Sequence, residues 1–421
     1  MARRLFGTDG VRGVVGEDLT EELVERLGRA FARWNDGAGV LVGRDTRASG
    51  LALEQALASG LSSGGSEVVL GGVLPTPAVA LLAEGSGAVV SASHNPAEYN
   101  GVKFFKSGWK LEDAEEEAVE ALLDAEPVAA GVVREAPGLA GRYVDLVCQR
   151  FGGPLQGLRV VLDCANGAMV EAAPAAFRRL GATISVIGER PDGKNINDGC
   201  GATDLRLLSR AVPEAGADLG VAFDGDGDRM LAVDAAGNEV DGDQILAVLA
   251  LHLGVELVAV TQMTNLGFHR LMADRGIRVL TTDVGDRYVL EALRAGGGVL
   301  GGEQSGHVIY LDGHVTGDGL VAGLLLCRAV LEEGRPLADL AAEMPRYPQA
   351  KHDVRVRSKE IPPSVLEEAA RLADELAGRG RVLVRASGTE PVVRVLAEAE
   401  NEEEARRLCG TIRSLVEREL G

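Results

Sequence analysis

The most explicit chemistry in this sequence lies in Asp224-Gly225-Asp226-Gly227-Asp228-Arg229. In an extended loop, residues two apart face the same side, so the three carboxylates converge; a helix would scatter them. Converged carboxylates repel and raise one another's pKa unless a cation sits among them. All-oxygen ligation with few protein donors suits Mg²⁺, which keeps positions for water or a phosphoryl oxygen. A calcium loop of the EF-hand type fails on position: the sixth-place glycine is Arg229 and the twelfth-place glutamate is Ala235. The remaining alternative is a solvated acidic turn.

Three further loops have reactive compositions. Ser91-Ala92-Ser93-His94-Asn95-Pro96 sets hydroxyls beside an imidazole, a nucleophile or phosphoryl carrier, with Asn95-Pro96 fixing a turn; either serine could serve. Gly302-Glu303-Gln304-Ser305-Gly306-His307 can hydrogen-bond the hydroxyls or amine of a sugar, and reads equally well as a polar turn. Arg385-Ala386-Ser387-Gly388-Thr389-Glu390-Pro391, with Arg394 beyond it, offers forked guanidinium donors and a glycine backbone to a phosphate; taken singly it is a tight turn. Arg12, Arg44, Arg47 and Lys103 are additional cations, each of which alone reads as a solvated surface charge.

These loops need strands to carry them. Val40 to Val42, Val68 to Leu70 and Gly87 to Val90 are apolar, partly β-branched runs, separated by helical patterns at Leu51 to Leu61 and from Pro75 onward. Thr20 caps a first helix, with Glu21 and Glu22 in its opening turn. The series restarts at Arg159 to Leu162 and again at Ile245, giving strands Thr183 to Ile187, Leu219 to Phe223, Leu257 to Val260 and Arg278 to Thr281. The last segment alternates differently: strand Val354 to Arg357, helix Pro362 to Leu376, strands Val382 to Ala386 and Val392 to Ala397, helix Glu402 to Leu420. The expected architecture is three similar α/β domains with mixed, mostly parallel sheets (1–142, 143–240 and 241–350) and a smaller α+β C-terminal domain (351–421). Pro127 to Arg142 and Pro345 to Lys351 read as linkers.

At 421 residues, the chain exceeds one compact core. Its net charge of −20 argues against nucleic-acid or anionic-membrane surfaces, so any positive field for an anionic substrate must be local. Five scattered cysteines without CxxC spacing point to reduced thiols and a cytoplasmic protein. The start, with Arg3 and Arg4 but no apolar run, gives no signal peptide. A hydroxyl carrier, a metal cage, a polyol reader and a phosphate clamp together fit phosphoryl transfer on a phosphorylated sugar, where catalysis is positioning plus charge neutralisation.

In this order, and over essentially the whole chain, these loops and Gly7-Thr8-Asp9-Gly10-Val11-Arg12-Gly13 resemble the α-D-phosphohexomutase superfamily, most closely its bacterial glucosamine-phosphate branch, to which Gln304 points. The resemblance implies four domains around a central cleft. It also implies interconversion of glucosamine 6-phosphate and glucosamine 1-phosphate through a 1,6-bisphosphate, toward UDP-N-acetylglucosamine; the alternative is a phosphomannomutase or phosphoglucomutase. A sugar-phosphate-binding protein without turnover is disfavoured by intact Ser93, His94 and the three aspartates. By the resemblance, Ser93 is the phosphorylated serine, and Asp224, Asp226 and Asp228 with its phosphate hold Mg²⁺. Glu303, Ser305 and His307 read the sugar, and Arg385, Ser387, Gly388, Thr389 and Arg394 hold phosphate. Lys103, Arg12 and His94 are candidates to polarise the serine oxygen or take protons, with Lys103 first. The implied partner is a small phosphosugar, with a homodimer left open. Tyr99 and Asp283 depart from the family pattern, which usually has Asp and Lys there, leaving a phosphate contact at Asp283 in doubt.

Overall fold

The computed structural model describes residues 5–7, 9–128, 130–387 and 391–421. Arg3, Arg4, Thr8, Gly388 and Thr389, all used above, lie outside the described residues. The chain divides into two compact units, Met1–Gln262 with Arg278–Ala342, and Met263–Ile277 with Glu343–Gly421.

The first unit holds three mixed sheets. In the first, Val40–Arg44 lies parallel to both Val68–Val73 and Ser86–Val90. These strands are near-continuous apolar runs because helices cover both faces of a parallel sheet. Tyr99–Lys106 returns antiparallel beside Ser86–Val90, and Val11–Val14 pairs antiparallel with it in turn. Helices Glu21–Trp34 and Gly50–Ser63 pack tightly; a Cβ at Gly60 would sit 1.9 Å from Glu25 O, so only glycine allows the approach. Thr20 Oγ1 accepts from Leu23 N at 3.1 Å and starts the first of these helices as expected.

The second sheet runs Arg159–Asp163, Thr183–Ile187 and Leu219–Phe223 in parallel, then turns back through Met230–Asp234. The third runs Leu257–Thr261, Arg278–Thr282 and Leu300–Gly302 in parallel and turns back through Val308–Tyr310. The second unit is a three-stranded antiparallel sheet of Gln349–Arg355, Arg381–Ala386 and Val392–Glu398, with helices Pro363–Glu375 and Glu402–Leu420. Val365, Leu372, Leu408 and Ile412 lie in its core.

One rule connects these sheets to the chemistry. The strands that flank each of the four polar loops pair antiparallel with one another. The sequence points to the strand entering each loop but not to Tyr99–Lys106 leaving one. Some segments depart from expectation. Pro127 to Arg142 contains strand Val133–Glu135, parallel to Val68–Val73, and the start of helix Leu139–Phe151. Pro345 to Lys351 contains the start of strand Gln349–Arg355, which begins earlier than its apolar residues suggest. Helix Gly319–Glu333 escapes a periodicity search because it is buried nearly all round and has no polar face to set a stripe. All five cysteines are buried and free. Among the described residues, no helix is long and apolar enough to cross a membrane.

Candidate active site

Ser93 lies in its loop in the left-handed region, at φ 51°, with its side chain buried. Its Oγ donates to Asp224 Oδ2 at 2.6 Å, and His94 Nδ1 lies 3.5 Å from the same oxygen. Ser91 points elsewhere, donating to Asp45 Oδ2 at 2.6 Å. Of the two serines, Ser93 is the one the fold brings to the aspartates.

The three aspartates converge as their spacing requires: one oxygen from each lies within 4.8 Å of the others. Both glycines between them have reasons. A Cβ at Gly225 would stand 2.6 Å from Ser93 O, and Gly227 has φ 76°. Burial, then the charges of Asp228 and Asp226, push the Asp224 carboxyl up to about 7. Asp226 Oδ1 and Asp228 Oδ1 are buried without a hydrogen-bond partner. Orphaned, buried carboxylate oxygens in an all-oxygen set fit a divalent cation.

The second oxygens of Asp226 and Asp228 meet protein donors. Lys103, on the return strand Tyr99–Lys106, places Nζ 2.8 Å from Asp226 Oδ2, 3.1 Å from Asp228 Oδ2 and 2.8 Å from Asp9 Oδ2. Burial alone would depress its pKa, but Asp226, Asp228 and Asp9 outweigh burial and hold the ammonium charged. From there the charges alternate around a closed ring. Asp9 Oδ1 holds Lys110 Nζ at 2.8 Å, Lys110 reaches Asp286 Oδ2 at 2.5 Å, and His307 Nε2 stands 3.6 Å from Asp286 and 3.3 Å from Asp228. Burial opposes protonation of His307, yet Asp228 and Asp286 raise it to about 10, so imidazolium completes the alternation. Against burial, His307 and Lys103 keep Asp228 ionised well below the usual carboxylate range.

His94 is the opposite case: burial, then Arg229 and Arg12, lower it to about 3, leaving a neutral imidazole beside Ser93. Arg12 donates to Asn95 Oδ1 at 2.9 Å and pairs with Asp9. Glu303 is buried and accepts from Gly285 N at 3.1 Å, whereas Ser305 is exposed. The sugar-loop candidates are tied to the aspartate loop through Met230 N to Gly306 O at 2.9 Å and a bridge pairing Arg229 with His307.

In the second unit, Arg385 and Arg394 are cross-strand partners, and Ser387 N donates to Val392 O at 2.9 Å across the loop base. Like charges directly opposite on neighbouring strands disfavour the pair unless an anion lies nearby. Arg394 also stands 3.5 Å from Asp353 Oδ2.

Several sequence expectations are corrected here. Lys103 and Arg47 are not solvated charges but buried, and Arg44 is half-buried against Glu54 at 3.3 Å. Tyr99 contributes a carbonyl to Arg47 at 2.9 Å, and exposed Asp283 accepts from Gln262 at 3.3 Å. Asp9, Thr76, Lys110 and Asp286 join the site without having been singled out. Their partners are distant in sequence, and apart from Asp9, which lies in the Gly7–Gly13 motif, no local pattern marks them.

The comparisons with known proteins match this layout in order. Family models described as phosphoglucomutase/phosphomannomutase domains I, II, III and C-terminal match residues 3–129, 142–237, 241–347 and 332–415. A phosphoglucosamine mutase of Acidothermus cellulolyticus is 50% identical, covering 99% of this chain and 96% of its own. One of Desulforudis audaxviator is 49% identical, covering 94% of each. Among solved structures, a phosphoglucomutase/phosphomannomutase family protein of Burkholderia thailandensis superposes with TM-score 0.82 at 26% identity, covering 98% of this chain and 97% of its own. A putative phosphomannomutase of Thermus thermophilus gives 0.80 at 27%, covering 99% and 100%. With the four domain models in sequence and near-complete coverage by the curated relatives, the chain belongs to the phosphoglucomutase/phosphomannomutase family, within it to the phosphoglucosamine mutases.

Proposed function

We propose that this enzyme interconverts glucosamine 6-phosphate and glucosamine 1-phosphate, with Ser93 as the phosphoryl carrier and Mg²⁺ as the metal. The observation that carries the reading is Ser93 Oγ, 2.6 Å from Asp224 Oδ2, at a cage in which Asp226 Oδ1 and Asp228 Oδ1 lack partners. The names of the curated relatives support the amino sugar as substrate.

Asp224, Asp226 and Asp228 would hold the cation, which when bound supplies charge neutralisation for the phosphoryl group. Phospho-Ser93 gives that group to the free hydroxyl of the sugar phosphate: the bond from phosphorus to Ser93 Oγ breaks, one to the sugar oxygen forms, and the bisphosphate results. The bisphosphate then turns over, and its other phosphoryl group returns to Ser93. Lys103 acts as a fixed positive charge beside the reacting oxygens, since three carboxylates keep it protonated. The proton of the sugar hydroxyl passes to Ser93 Oγ as the phosphoryl group leaves it, and His94, held neutral 3.5 Å away, is a hydrogen-bond partner to that oxygen along the way. Arg12 steadies the loop through Asn95. Glu303, Ser305 and His307 bind the sugar, and Arg385, Ser387, Gly388, Thr389 and Arg394 hold the phosphate that is not reacting. Buried, reduced cysteines accord with a cytoplasmic setting.

Intact mass before and after phosphatase treatment tests the carrier: one phosphoryl group is expected, absent in Ser93→Ala, which loses nearly all turnover. An active Ser93→Ala enzyme would overturn the role. Turnover of glucosamine 1-phosphate against mannose and glucose 1-phosphates tests the substrate. Preference for a neutral hexose favours the phosphomannomutase or phosphoglucomutase reading instead.

A further inference from the structure

The backbone of Ser93 is closed into a ring of hydrogen bonds made by residues with no part in the chemistry above. Ser93 N–H donates to Ser91 Oγ at 2.9 Å, and Ser91 Oγ donates to Asp45 Oδ2 at 2.6 Å. Arg47 Nε donates to the same carboxylate oxygen at 2.8 Å, and Arg47 Nη2 returns to the Ser93 carbonyl at 2.9 Å. The ring thus grips both the amide and the carbonyl of one residue. A second donor, Asn197 Nδ2 at 2.9 Å, fills the other lone pair of that carbonyl.

The guanidinium is used to completion. Nη2 also donates to Asn95 O at 2.8 Å, and Nη1 donates to Pro96 O and to Tyr99 O, the latter at 2.9 Å. All five donors of Arg47 are engaged, four on carbonyls of the loop and one on Asp45. Arg47 and Asp45 are both fully buried. A buried ion pair of this kind is weak evidence for stability, and better explained by what it specifies. Here it specifies an unusual backbone: a non-glycine residue with φ 51° persists only where its surroundings over-determine it.

We propose that Asp45, Arg47 and Ser91 are positioning residues for Ser93, holding its left-handed backbone so that Oγ, and the phosphoryl group it carries, face Asp224. The proposal rests on the reading of Ser93 as carrier. Lysine could not replace Arg47, because a single ammonium cannot span four carbonyls and a carboxylate.

The test is Ser91→Ala in the full chain, which removes the link between Ser93 N–H and Asp45. Phosphoryl uptake from glucosamine 1,6-bisphosphate by the dephosphorylated enzyme is followed by intact mass, alongside kcat, KM and Tm. Uptake and kcat are expected to fall roughly tenfold to a hundredfold, as for a reacting atom displaced by a fraction of an ångström to an ångström, with KM changed by less than about threefold. Asn197→Gly, which suits φ 58° while removing the second donor to the Ser93 carbonyl and its longer bond to Asn95 O at 3.3 Å, should show the same split in milder form and is read in place of Ser91→Ala should that variant not fold. Variants that lower Tm but keep wild-type uptake and kcat overturn the positioning role. Failure of the wild-type enzyme itself to take up the group would instead refute Ser93 as carrier.

Discussion

Thr76 holds Asp226 twice: its Oγ1 donates to Oδ2 at 2.6 Å and its amide donates to the Asp226 carbonyl at 2.9 Å. With Lys103 on the same Oδ2, one oxygen of the carboxylate is saturated and the other is buried without a hydrogen-bond partner. Thr76→Val keeps shape and burial but removes the hydroxyl. The metal concentration for half-maximal activity is expected to rise by roughly threefold to tenfold, as for loss of one hydrogen bond of about 1 kcal/mol orienting a ligand. An unchanged metal titration would show that Asp226 needs no such support.

Asp226→Asn attacks the cage directly. It removes a negative charge and a ligand oxygen while Lys103 and Thr76 remain in place. Metal activation should weaken by at least about tenfold, in line with the loss of a coordinating group. Titrating activity against Mg²⁺ for the two proteins side by side gives the answer.

Arg287 forms a forked pair with Glu116, at 2.6 and 3.0 Å, and reaches Asp113. Both Arg287 and Glu116 are buried, so Arg287→Met removes the cation paired with a buried carboxylate; the cost is about 3–5 kcal/mol. The melting temperature should fall by several degrees, and adding Glu116→Gln should restore part of it. Equal melting of Arg287→Met and wild type would mean that the buried carboxylate finds other compensation.

His269 supplies a pH dependence in the second unit. Burial, then Arg381, lower its pKa to about 4, against an unfolded value of about 6.5. Between those values the unfolded chain binds a proton that the native protein does not. Its contribution is therefore present in full above about pH 6.5 and is lost as pH falls toward 4. Urea unfolding of wild type and His269→Gln across this window should show a shallower pH slope for the variant. Parallel slopes would remove His269 as a source.

The legible part of this protein is local. Apolar runs such as Val40-Leu41-Val42 and Leu219 to Phe223 mark strands because a buried sheet must be built from them. The aspartate spacing at 224–228 announces converging carboxylates for the same geometric reason. Tyr99–Lys106 was opaque because it interleaves Lys103 and Lys106 with apolar residues, and lysine ordinarily signals solvent. Asp9 with Lys110, Lys110 with Asp286, and Thr76 with Asp226 are separated by 101, 176 and 150 residues, so no window of sequence contains both halves. The burial of Arg47 is hidden from the sequence because four of its five donors meet backbone carbonyls, which leave no trace in side-chain composition.

The φ of 51° at Ser93 also bears on which amino acids could ever stand there. Threonine offers the same hydroxyl and the same phosphate ester, but a branched Cβ is a genuine outlier in left-handed backbone. Cysteine would fit the backbone and offer a different leaving group. Restricted by shape before reactivity is considered, the position admits serine as its only oxygen nucleophile of alcohol type, so a swap that is chemically silent on paper is barred by conformation.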